Sequence, residues 1–410
     1  MIETNFSRVC RRLAVATLVD ASGNGFFISG SAAFFVVHLG FPAEQVGIGL
    51  SLAAGMGTVA SIVIGRLTDR YGARTVYVVL AVAQGLCYAC YPLVGSFWAL
   101  LVVVSLAAIA DFGSAPAWGS LVGGNVPNDQ RVRIRARLRT VYNIGFSVGV
   151  LLCGVVVAVG TPAAYVSLAL GNATSFLVGA AVARRVPEVR IPARSSGPLR
   201  VALRDTPFLA VTLVWAVLSL HISVMLVAIP LWIVERIDGL GSMMVSVLFV
   251  LNTAMAILLQ VWASRGAETW SGSAKTARRS GLLLAAGCVA LAITDYIGTV
   301  FAVSLLVLAT VLVTFSELFR SASSWGVVYA LAPDGKLGEY LGVFGLSTSI
   351  QAMAGPGLIT LLVAAFGGLG WLVVGGVAGA AALLAVPVTT RAAHRSAGEP
   401  ADRADRGSVR

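Results

Sequence analysis

The chain has 410 residues, 58% of them hydrophobic and only 11% charged, with a mean hydropathy of +0.89. A soluble domain carries about 25% charged residues, so this composition excludes an ordinary soluble fold and puts most of the chain against lipid or other helices. The net charge is +11, and all but two of the 29 basic residues are arginine; because they fall in alternate loops, the reading is membrane topology rather than nucleic-acid binding.

The apolar runs are about 20 residues long, the span of a transmembrane helix, whereas barrel strands are about 10 and alternate. Twelve spans are expected, over 13–37, 44–65, 75–95, 97–124, 137–160, 163–184, 207–234, 241–264, 280–298, 300–325, 339–365 and 368–390. Arg8, Arg11 and Arg12 precede the first, whose apolar run is too long for the core of a signal peptide, so it is read as a retained helix. Asp20 and Asn24 lie one turn apart on it and share a face, and Gly23, Gly25 and Gly30 make it easy to bend.

Between the second and third spans lies Gly65–Val76, reading G-R-L-T-D-R-Y-G-A-R-T-V. Arg66, Arg70 and Arg74 hold this connection on the cytoplasmic side. Gly65 and Gly72 are expected to permit its sharp turn, and Asp69 is its sole acid. The pattern resembles the loop signature of the major facilitator superfamily, with Gly65, Asp69, Arg70, Gly72 and Arg74 at matching positions and Ala73 where a second basic residue is usual. The resemblance implies an all-α membrane fold of twelve helices in two pseudo-symmetric six-helix bundles. It also implies that Asp69 docks near the start of helix 11 and gates the cytoplasmic side.

The fourth span carries Trp118 and lacks the arginine usual in the family's helix 4, having Asp111 instead. The loop to the fifth holds Arg131, Arg133, Arg135, Arg137 and Arg139. The fifth span reads Arg139-x-x-x-Asn143-x-Gly145-x-x-x-Gly149-x-x-x-x-Gly154. Its small residues let another backbone approach closely, and it partly resembles the family's antiporter signature, with Val150 in place of the proline. Residues 185–206, with Pro187, Pro192, Gly197 and Pro198, read as a cytoplasmic linker between bundles 1–184 and 207–390. Residues 391–410 read as a disordered cytoplasmic tail.

An internal repeat supports this division. Asp111 precedes Pro127 by the same interval as Glu317 precedes Pro333, and Gly149 and Gly355 follow in step. The loop 264–279 occupies the place of a second signature, but only its basic residues survive. Few ionisable groups lie inside spans: Asp20, Asp111, His221, Glu317 and Arg320. A charge at the bilayer centre costs at least about 2.5–3.5 kcal/mol, so such groups should face a wet cavity or each other. An acid that alternates between wet and closed surroundings changes its proton affinity, which makes Asp20, Asp111 and Glu317 proton-coupling candidates. Arg320, three residues after Glu317, is either its tuner or its static partner. His221 is either a cavity group or a hydrogen-bonded core residue.

Trp118, Tyr142, Phe146, Trp215, Trp232 and Trp325 are candidate cavity aromatics, with Asn24, Arg139, Asn143 and His221 as polar partners. Trp98, Trp232 and Trp371, near span ends, also suit an interfacial belt. The five cysteines imply no disulfide framework, and the scattered histidines 38, 221 and 394 offer no zinc site. No metal, cofactor or nucleic-acid partner is expected. Helix 1 Asp20, helix 10 Glu317 and the partial helix 5 motif look most like proton-coupled drug or metabolite exporters. A small-molecule substrate, protons and membrane lipids are the implied partners. The expected setting is a monomer in the plasma (inner) membrane with both termini cytoplasmic. An uptake symporter for a small metabolite is the alternative; no catalytic constellation suggests an enzyme.

Overall fold

The computed structural model describes residues 2–188, 201–236 and 241–398. Most of the expected linker, 189–200, and the end of the tail, 399–410, lie outside the described residues. Those described form helices and no strands. In chain order the long helices are α1 (Ile2–Ala32), α2 (Ala43–Tyr71), α3 (Ala73–Cys90), α4 (Phe97–Asn125), α5 (Arg131–Val159) and α6 (Pro162–Ala183). Next comes α7, a broken rod of Thr206–Leu218, His221–Ser223, a π-helical Val224–Ala228 and Ile229–Arg236. It is followed by α8 (Gly241–Ala263), α9 (Trp270–Ile293), α10 (Thr299–Leu331), α11 (Leu337–Phe366) and α12 (Gly368–Gly398).

Eleven of these rods are long and apolar enough to cross a membrane. The remaining one, α1, spans 31 residues and continues through a π turn, Ala33–His38. Asp20, Ser22 and Asn24 dilute its apolar run without shortening it. With it the count is twelve, the all-α membrane fold expected.

Several helices outrun the apolar runs that announced them. α2 continues to Tyr71, α5 starts at Arg131, α9 starts at Trp270, and α12 carries on to Gly398 through residues read as tail. Hydropathy marks only the stretch that lipid covers, whereas backbone hydrogen bonding continues into water. This corrects one expectation. Gly65 is not a turn residue, because it lies inside α2. The turn is Gly72 alone, at φ +97°, which a side chain would strain.

The chain divides into two compact units. Unit 1 comprises residues 1–128, 137–196 and 334–345, and unit 2 comprises 129–136, 197–333 and 346–410. Within unit 1, α1 and α5 approach to backbone contact. A Cβ on Gly145 would lie 2.7 Å from the Leu18 carbonyl, one on Gly149 would lie 2.5 Å from the Phe26 nitrogen, and Gly25 meets Phe146 as closely. Gly145 and Gly149 of the fifth span therefore have α1 as their partner, whereas a Cβ on Gly154 would meet nothing within 4 Å. An aromatic core caps this bundle, with Phe27 set edge-on to Phe34, Phe35 and Tyr88 and stacked on Tyr91.

Unit 2 packs around α7, α9, α10 and α12. Trp232 and Trp371 are enclosed there, at 1% and 0% exposure, with their rings 5.9 Å apart. The Trp232 indole donates to Thr294 Oγ1 at 2.8 Å. The belt reading thus fails for both, since a place near a helix end does not fix which face the ring takes. Trp98, 73% exposed, remains an outward ring.

Candidate functional site

The acid of the loop signature grips a helix end. Both Asp69 oxygens accept backbone N–H bonds from the first turn of α11, Gly338 at 2.7 Å and Glu339 at 2.8 Å. Helix starts leave N–H groups without intrahelical partners, so a carboxylate there satisfies donors and meets the positive end of the dipole. Gly65 and Gly338 make this possible, each lying where a Cβ on the other would strike its carbonyl. Arg66 stands 3.7 Å from Glu339. Arg70 is exposed and lies over Tyr71, at 5.4 Å from the ring centroid.

A second carboxylate, missed by the sequence reading, holds the other side of the turn. Glu188 accepts from the Arg74 and Thr75 backbone nitrogens at 3.1 and 3.0 Å, capping α3. It also stands 3.4 Å from the Arg74 Nε. Arg12, Arg74 and Asn125 donate to the carbonyls of Arg185, Val186 and Pro187 respectively. The chain leaving α6 is thus anchored to unit 1 before it becomes linker. In sequence Glu188 is only a charge beside a proline.

Inside unit 1, Asp20 of α1 and Asp111 of α4 come near enough to act on one another electrostatically, and both act on Tyr77, Tyr88 and Tyr142. Asp20 and Asn24 are half-buried, and the Asp111 side chain is not covered by the packing of α4. Arg139 lies over the Tyr142 ring at 5.2 Å, and that ring stacks on Phe146 at 6.0 Å. Trp118 packs against Tyr77 at 4.9 Å. Asn143, on the same α5 turn as Tyr142, is half-buried. The structure therefore brings two acids, a guanidinium and several aromatic faces together in one bundle.

In unit 2, Glu317 of α10 accepts from the Asn252 amide of α8 at 3.1 Å, and the same nitrogen reaches Thr314 at 3.0 Å. Arg320 donates to the Ser347 and Thr348 hydroxyls of α11, each at 3.3 Å. Asn252 was not singled out in sequence, although it is the sole amide in the first half of its apolar run. Trp325 takes a guanidinium, from Arg135, at 5.5 Å. Two other candidates sit in the packed core instead. Trp215 is fully enclosed, and His221 is 4% exposed with Nδ1 2.9 Å from the Leu218 carbonyl.

Twelve helices, the carboxylate clasp on α11 and acids set inside apolar rods define a class of membrane transporter. Residues 13–324 match the Major Facilitator Superfamily family model, and the chain belongs to that superfamily. It is therefore a multi-pass secondary transporter that takes small-molecule substrates. Among curated relatives it resembles the uncharacterized MFS-type transporter YhjO of Bacillus subtilis (strain 168), at 24% identity over 311 residues, 75% of each chain. Its fold is similar to that of a bacterial homologue of the iron transporter ferroportin in the outward-facing state, with TM-score 0.76 and 17% identity over 94% of this chain and all of that one. It is also similar to the human organic anion transporter MFSD10 (TETRAN), with TM-score 0.69 and 14% identity over 94% and 99% of the two chains.

Proposed function

We propose that the protein exports a small amphipathic compound in exchange for protons by alternating access, as a monomer in the plasma membrane with both termini cytoplasmic. The observation that carries this reading is the setting of Glu317. A carboxylate inside an apolar helix is costly, and this one is held by the Asn252 amide, with Arg320 one turn on. Asp20 and Asp111 supply acids in the other repeat. Each would load a proton when its surroundings are closed and release it when they are wet. Asp69, released from α11, would free the cytoplasmic side to open.

Everted membrane vesicles test this, with a panel of amphipathic compounds, with and without a protonophore. Export that collapses with the protonophore and in Glu317→Gln, while folded protein persists, is the expected result. Proton-dependent uphill export that survives in Glu317→Gln sinks the coupling role. Accumulation in right-side-out vesicles alone would favour the uptake symporter. A static Glu317–Arg320 pair would instead cost both single variants their folded protein.

A further inference from the structure

The interior of unit 1 contains buried polar atoms that neither the fold nor the transport reading uses. Gln84 of α3 is 2% exposed, and its amide nitrogen donates to Ser114 Oγ at 2.8 Å and the Ala110 carbonyl at 3.4 Å. Its Oε1 has no hydrogen-bond partner. Asn172 of α6 is fully buried, and its Nδ2 likewise has none. Leaving such a group unmet costs about 1–3 kcal/mol, and these two are amides, each able to offer an oxygen to a ligand.

Both belong to the neighbourhood of the paired acids. Tyr77, Gln84 and Tyr88 share one face of α3, and the two tyrosines flanking Gln84 both feel the charges of Asp20 and Asp111. The Ala110 carbonyl that holds Gln84 adjoins Asp111. Asn172 packs on Gly23, where a Cβ would lie 2.6 Å from its Oδ1, and Gly23 is one turn from Asp20. Ser175 Oγ lies 3.1 Å from that Oδ1 while donating to the Asn172 backbone carbonyl at 2.8 Å. Amide oxygen and nitrogen are assigned from such networks. With the Ser175 hydroxyl donating to the backbone carbonyl, the Asn172 side-chain oxygen is left as an available acceptor on the α1 side.

We propose that these groups form a binding site for a hard divalent cation, with the Asp20 and Asp111 carboxylates and the Gln84 and Asn172 amide oxygens as its ligands. Charge decides the valence. Among the described residues neither carboxylate has a hydrogen-bond or ion-pair partner, and a dication cancels both charges where one proton cancels only one. The donors decide the class, because carboxylates and amide oxygens suit Mg²⁺, Ca²⁺ and Mn²⁺, whereas the softer metals favour imidazole and thiolate. The sequence expectation of no metal rested on the scattered histidines and does not bear on an all-oxygen site. The proposal is independent of transport direction, since binding is read on the purified protein at rest.

The test titrates detergent-purified full-length protein with Mn²⁺, reading the free ion by electron paramagnetic resonance. One saturable site per chain, emptied by Ca²⁺, is expected. Asp20→Asn and Asp111→Asn should abolish it, and Gln84→Leu should weaken it about tenfold or more. Gln84→Glu, which keeps an oxygen in place, should retain binding and so separates loss of a ligand from loss of the fold. The surface controls Glu44→Gln and Asp129→Asn should bind as the parent does. Absence of saturable binding, or binding equal in Gln84→Leu and Asp20→Asn, would overturn the site and leave water or a shared proton as its occupant.

Discussion

The starts of α11 and α5 stand at matched places in the 206-residue repeat, yet they are held by different chemistry. Residues 334–345 belong to unit 1, where Asp69 takes the Gly338 and Glu339 nitrogens. Residues 129–136 belong to unit 2, where Arg131 lies over Tyr329 at 5.6 Å and Arg135 over Trp325 at 5.5 Å. Val132 packs there with Ala267 and Ala322, near the loop that should have carried a second signature. A carboxylate on backbone donors is directional and loses its worth within a fraction of an ångström or on gaining a proton. A guanidinium over a ring tolerates sliding and keeps its charge. The repeat thus holds its two matched helix starts by two kinds of contact, a carboxylate on backbone donors in unit 1 and guanidinium groups over rings in unit 2.

Three substitutions sharpen or break that contrast. The largest effect is expected from Gly65→Val, which drives a side chain into the Gly338 carbonyl. Overpacking of this kind costs about 1–3 kcal/mol and should lower both the melting temperature and the yield of monodisperse protein; an unchanged melting curve would mean the close approach is not needed. Asp69→Asn comes next. It keeps one acceptor oxygen but loses the charge, worth about 0.3–1 kcal/mol at a helix start and up to ~2 when partly buried. The protein should still fold, while thiol labelling at an introduced Leu341→Cys speeds up severalfold and transport falls. Equal labelling with and without Asp69 would remove its role as clasp. The smallest effect belongs to Arg135→Lys, which preserves charge but gives up planar contact with Trp325, about 0.5–1 kcal/mol. A melting-temperature loss as large as that of Gly65→Val would show that unit 2 depends on its aromatic contact as much as unit 1 does on its clasp.

The number of membrane helices, the position of the signature and the presence of acids inside apolar rods were legible in the chain itself, because each is a local property. A run of about 20 apolar residues spans a bilayer whatever surrounds it, and an acid within such a run stands out by cost alone. Partners were not legible. Asp69 meets backbone nitrogens 269 and 270 residues away, and backbone donors leave no mark in a sequence. Glu188 looked like linker until its carboxylate reached α3, and Asn252 and Gln84 were not singled out at all. Trp232 and Trp371 were placed by nearness to a helix end, when rotation about the helix axis decides burial. Gly65 was read as a turn because glycine serves turns and close approaches equally. Tertiary structure alone chose between these, by bringing Gly338 to within contact of Gly65 and leaving the turn to Gly72.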